Sequence, residues 1–210
     1  MSFVGVRLSP WISRRLHIVP HNGTIPALIA CCLLVSPLET GLGQEATYTI
    51  RHYDLRITPD FITRRVALQA VVEIANPALD SVFLFGLNDR YESVSVSAGL
   101  SAARTERSDG WAAVTLDKPA AEVRIEFGLE GALGQSNDEK REMIADSSLF
   151  LLWSDRFYPI DFHRWATVRS VIVLPRGFHA VAPGRLTGQS TSGQLVTHVF
   201  ETTEPAVSFS

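Results

Sequence analysis

Cysteine is almost missing from this chain: Cys31 and Cys32 stand side by side near the N-terminus and none follows. If the leader that holds them is removed, disulfides, cysteine metal ligands and thiol nucleophiles are excluded together. The dipeptide His-Glu does not occur at all, so the helical zinc clasp H-E-x-x-H, with its two imidazole ligands and general-base glutamate, is absent. His17 and His21 have the i, i+4 spacing, but Pro20 lies between them and denies them a regular helical turn. The longest apolar run, Ile25 to Val35, falls short of the ~20 residues a membrane-spanning helix needs. Charge of one sign is not concentrated either. No clustered basic surface of the kind phosphate contacts require is visible, so nucleic acid is not expected as a partner.

What is present begins with an export signal over residues 1–43. Arg7, Arg14 and Arg15 make a positive leader, Ile25 to Val35 the short apolar core, and Gly41 and Gly43 a small-residue cleavage pattern. The run Leu28 to Cys31 also fits a lipoprotein-type processing site, which would leave a lipidated Cys31 as the one route to a membrane. That reading halves the apolar core and leaves Leu33, Leu34 and Val35 exposed on the mature end. A buried N-terminal segment is a third reading, interrupted by prolines and a polar stretch at residues 21–24. Export implies a periplasmic or extracellular location. After cleavage at Gly43, 16 basic residues face 21 acidic ones, a net charge of about −5. The 46% hydrophobic content over 210 residues is that of a globular chain able to bury a core.

Beyond residue 43 the dominant period is two. Tyr53, Leu55 and Ile57 alternate with His52, Asp54 and Arg56. Val66, Leu68, Ala70, Val72 and Ile74 form the longest apolar face, and the device repeats at Val94 and Val96, at Val114 and Leu116, and from Val123 to Leu129. Turn signals fall between these runs, at Thr58-Pro59-Asp60, Asn76-Pro77, Asn88-Asp89, Ser108-Asp109-Gly110 and Lys118-Pro119. The expectation is a single all-β domain over residues 44–210, an antiparallel sandwich or meander. Only residues 137–146 read as a helix, or equally as a solvated loop.

Several stretches resemble chemistry. Residues 148–165 gather aromatics, two Asp, two Arg and a His around Pro159, with Asp161 and His163 on one face if the segment is extended. Two ligands do not make a catalytic zinc site, which needs three. The expectation is therefore a packed joint, with Trp153, Phe157, Tyr158, Phe162 and Trp165 in the core and Asp155 and Arg156 as surface charges or a local ion pair. Trp153, Asp155, Tyr158, Asp161 and His163 are the residues to watch. Residues 188–193 approach the G-x-S-x-G nucleophile elbow, but the closing glycine comes one position late and a hairpin turn is expected. Residues 128–134 are glycine-rich without the Lys-Ser/Thr of a phosphate loop, and read as a turn or bulge. His52, His179 and His198 read as separate satisfied or exposed histidines, and Thr63 to Arg65 as a solvated basic step.

The order of these elements resembles the N-terminal β-domain of the aminopeptidase N family of zinc metallopeptidases, which includes leukotriene hydrolase. Residues 48–76 resemble the family's opening hairpin, and residues 80–99 the following strand pair. Residues 121–133 resemble its strand ending in an aromatic-x-Gly turn, with Phe127 one place ahead of the usual spacing. Residues 157–186 resemble the aromatic-Pro step, the next long strand and the Leu-Pro-x-Gly turn. The likeness implies a saddle-like sheet domain without the catalytic part. Neither H-E-x-x-H nor the substrate motif Gly-x-Met-Glu-Asn occurs, and Ser148 stands where relatives place an amine-gripping Gln or Glu. No catalytic, metal-binding or cofactor residue is expected, and no cofactor. The expected role is that of a non-catalytic scaffold or partner for a catalytic metallopeptidase domain or chain. An independent peptide- or protein-binding module that uses strand addition at an open edge is the alternative. Hydrolysis by the chain alone would require distant Ser, His and Asp to assemble in space.

Overall fold

The computed structural model describes residues 47–99, 101–133, 144–145, 148–162 and 165–205. Twelve strands are present: β1 (Thr49–Asp60), β2 (Arg65–Ala75), β3 (Val82–Gly86), β4 (Tyr91–Ser97), β5 (Ala103–Ser108), β6 (Trp111–Leu116), β7 (Glu122–Gly131), β8 (Ile144–Ala145), β9 (Ser148–Leu149), β10 (Thr167–Pro175), β11 (Arg185–Ser192) and β12 (Leu195–Glu201). Seven of them form one sheet in the order β11-β12-β10-β1-β2-β7-β4; three form a second, β3-β6-β5; and β8 pairs with β9. The expected all-β class holds. All pairings are antiparallel except β1 with β10, which run parallel from His52–Thr167 to Ile57–Ile172.

The period-two faces are the core. Val66, Leu68, Ala70, Val72 and Ile74 are all buried, as are Tyr53, Leu55 and Ile57, and Val123, Ile125, Phe127 and Leu129. Phe83, Phe85, Ala112, Val114 and Leu116 on the inner face of the small sheet pack against them. Phe85 meets Phe127 edge-on at 5.3 Å, and Phe83 meets Tyr48 at 5.0 Å, joining the two layers. The outer face of the large sheet is polar and laced with ion pairs, among them Arg169 with Asp54 at 3.0 Å and Arg65 with Glu92 at 3.0 Å.

Three local expectations are corrected. Thr58-Pro59-Asp60 is strand, and the turn lies at 61–64. Proline is tolerated there because the β10 pairing has already ended at Ile57, so Pro59 sits where one side of β1 is open. The turn itself is tied by Asp60, whose carboxylate accepts the N–H of Ile62 at 2.9 Å and the hydroxyl of Thr63 at 2.7 Å. Gly128 to Gly131 is likewise strand, the end of β7. A Cβ on Gly131 would stand 2.3 Å from the Arg90 carbonyl oxygen, so glycine is there for the close approach of β4 rather than for a turn. The bulge sits on β4, between Tyr91 and Ser93. Ile144 and Ala145 are paired as strand, not helix; residues 137–143 and 146 lie outside the described residues, as do residues 1–43, on which the expected export signal falls.

Candidate functional site

Residues 148–162 carry the sequence's strongest chemical suggestion. The segment enters through β9, makes one 3-10 turn at Trp153–Asp155 and then lies along the loop that follows β3. Asp155 terminates that turn from within: its Oδ2 accepts the Leu152 N–H at 2.9 Å while its own N–H donates to the Leu152 carbonyl at 2.9 Å. It is only 6% exposed, which corrects its reading as a surface charge. Arg156 is not a partner in a local ion pair with it either. The Arg156 guanidinium donates to the Gly110 carbonyl at 2.9 Å and lies 5.3 Å from the Trp111 ring and 5.6 Å from Phe162.

The joint is stapled to the β3–β4 connection by a ladder of bonds. Gly86 and Ile160 exchange both backbone hydrogen bonds, at 2.7 and 3.0 Å, and the Asn88 N–H donates to the Arg156 carbonyl at 2.9 Å. The Asn88 side chain, itself buried, donates to the Asp155 carbonyl at 2.7 Å. The Tyr91 hydroxyl donates to the Phe157 carbonyl. Burial pushes the Tyr91 phenol far above its ordinary pKa, so it stays a donor. Tyr53 is raised as well, by burial first and by neighbouring Tyr158 second; its oxygen accepts the Asp161 N–H at 3.3 Å. Phe157 and Tyr158 are buried and stack edge-on at 4.9 Å.

Of the residues marked in the sequence, Asp155, Tyr158 and Asp161 are thus buried parts of one joint. His163 lies outside the described residues, so the Asp161–His163 step has no described geometry; of Trp153, the backbone turn is described. Trp165, expected in the core, is 64% exposed. Burial holds the Tyr91 and Tyr53 phenols protonated, and the Asp155 carboxylate accepts the Leu152 N–H. Among the described residues no group of three or more His, Cys, Asp or Glu side chains stands ready to hold a metal ion.

The histidines differ from one another. His52 shares a 2.8 Å hydrogen bond with the Thr167 hydroxyl. His179 is exposed, while His198 is 4% exposed and its Nδ1 has no hydrogen-bond partner among the described residues, which corrects its reading as satisfied or exposed. The buried Ser170 hydroxyl, on the same face of neighbouring β10, is equally unpaired. The near-elbow at residues 188–193 is a hairpin, β11 turning into β12 through Gly193 at φ 60°.

One feature escaped the sequence. Beside the joint, an apolar groove of about 570 Å³ has Ile57, Ile172, Leu174 and Phe157 among its lining, and Phe61 stacks on Phe178 at 4.5 Å within it. Ser148 and His179 are its polar neighbours, and the stretch from Gly177 to Pro183 closes one side. Its residues come from β1, β9, β10 and three connecting segments. The only linear signal was the small apolar run from Ala180 to Ala182 after a Pro-x-Gly turn.

No protein-family model matches the chain, and no curated protein matches it. Solved structures do. An M1 zinc metallopeptidase from Deinococcus radiodurans overlays with a TM-score of 0.60 at 18% identity, over 78% of this chain and 41% of that one. A mutant of that enzyme bound to a Tyr-Ser-Ala substrate gives 0.61 at 18%, over 78% and 42%. A two-domain M1 zinc metallopeptidase mutant bound to L-tryptophan gives 0.62 at 20%, over 80% and 43%. The fold is therefore that of the N-terminal β-domain of the M1 zinc metallopeptidases. The chain spans well under half the length of the structures it matches.

Proposed function

We propose that this chain is an exported, non-catalytic β-domain that serves as scaffold or partner for a catalytic metallopeptidase domain. The observation that carries the reading is the extent of the match: four fifths of this chain overlays two fifths of a zinc metallopeptidase. Three features support it. The sequence holds no H-E-x-x-H, the aromatic joint spends its polar groups on holding loops together, and Ser148 cannot supply the charge that would grip a substrate amine. Export through residues 1–43 rests on the positive leader and short apolar core, and cell fractionation should find the chain outside the cytoplasm with its N-terminus at residue 44. The test of the functional reading is an assay of the purified chain on aminoacyl-arylamides with added zinc. No turnover is expected, and hydrolysis clearly above the zinc-only blank would end the proposal.

A peptide- or protein-binding module is the second reading, and the apolar groove favours it. Its volume lies in the range of ligand pockets, and its walls are apolar with few polar groups. Binding of apolar peptides by the isolated chain, weakened by Val181→Glu at an exposed lining position with the fold intact, would move the balance to it.

A further inference from the structure

We propose that the free edge of β11 joins two copies of this chain in an antiparallel strand pair, with Gln189 at the two-fold axis. β11 ends the seven-stranded sheet, and among the described residues nothing pairs with its far side. Such an edge is a template for another strand unless something blunts it. The larger of the other edges are blunted: β5 presents Arg104, Glu106 and Arg107, and β4 carries Glu92 and a bulge, while β3 is only 5 residues long with its Gly86 end taken by the exchange with Ile160. From Leu186 to Leu195, by contrast, there is no charge and no proline.

The backbone directions follow from the hairpin. The loop Gly193–Gln194 has two residues, so Ser192 and Leu195 form the hydrogen-bonded closing pair. Hydrogen-bonded and open pairs alternate away from it. Ser190 and Gly188 therefore bond to β12, and Gln189 and Thr191 point their N–H and C=O outward. An axis normal to the sheet at Gln189 sets this residue against its own copy as a hydrogen-bonded pair. Ser190 then faces Gly188 and Thr191 faces Thr187. Small uncharged side chains meet at every step, and Arg185, the one charge of the strand, falls opposite the Gly193 turn. The faces also agree: Gln189 and Thr191 lie on the side of His198 and Val196, so the core side of one sheet continues into the other. The register shift between Leu186 and Gly188 ends the flat stretch, which keeps the pair short and the association concentration-dependent.

Sedimentation of the full chain over a range of concentrations tests this. The wild type should approach twice the monomer mass as concentration rises. Gln189→Pro deletes an N–H that has no partner among the described residues, and should stay at the monomer mass with unchanged circular dichroism. Gln189→Lys, which keeps the N–H, places two cations at the axis and should do the same should the proline variant fail to fold. Leu84→Glu, on the exposed outer face of the small sheet, should still dimerise. A wild type that stays monomeric throughout overturns the proposal, as does a dimer that survives both Gln189 changes or is lost in Leu84→Glu alone.

Discussion

Single side chains decide whether the joint holds. Tyr91 is 1% exposed and donates its hydroxyl to the Phe157 carbonyl. Tyr91→Phe removes that hydrogen bond from the core, which should cost about 0.5–1.5 kcal/mol by urea unfolding, with little change in the denaturant slope. Asp60 works by charge at an exposed turn. Its pKa is lowered by the Thr63 hydroxyl first, then by the Thr63 and Ile62 backbone N–H groups. A carboxylate depressed in the folded state contributes stability that is complete above the ordinary value of about 3.9 and lost as the pH falls through the folded value. Asp60→Asn should therefore narrow its stability gap to wild type as acid titrates the wild-type carboxylate, seen in melting temperatures between neutral pH and about pH 3. The residue scale is also where sequence reading failed most plainly. Asp155 and Trp165 exchanged their expected places, the acid inside and the indole outside, because a carboxylate with a backbone N–H to accept tolerates burial and a loop aromatic with no facing layer does not reach the core.

At the scale of elements the alternation of apolar residues carried most of the information. The β2 face, Val66 to Ile74, was legible in full because a period of two admits one buried side, and β7 followed the same rule. What alternation does not carry is which strand lies beside which. The Gly131 position belongs to that second kind, since its need for glycine comes from Arg90, the residue just before β4, about forty residues earlier. Gly131→Ala should force the two strands apart and cost about 1–3 kcal/mol, readable as a lowered melting temperature. Phe127→Ala removes the ring that meets Phe85 between the layers, and about 3–5 kcal/mol should be lost in the same measurement.

For the whole molecule, the two layers of the described residues share one core, and the fold overlays less than half of each zinc metallopeptidase structure it matches. The absence of H-E-x-x-H and the confinement of cysteine to Cys31 and Cys32 were settled by reading the chain, because they are statements about which atoms exist. So was the β class, because side-chain direction along a strand is a local property. The parallel contact of β1 with β10, the groove that draws on β1, β9 and β10, and the uncovered edge at β11 were decided by tertiary structure alone. Each depends on residues more than a hundred positions apart, or on what fails to arrive beside a strand. Local periodicity holds no record of either, since the free energy that selects them is gained only when distant surfaces meet and exclude water.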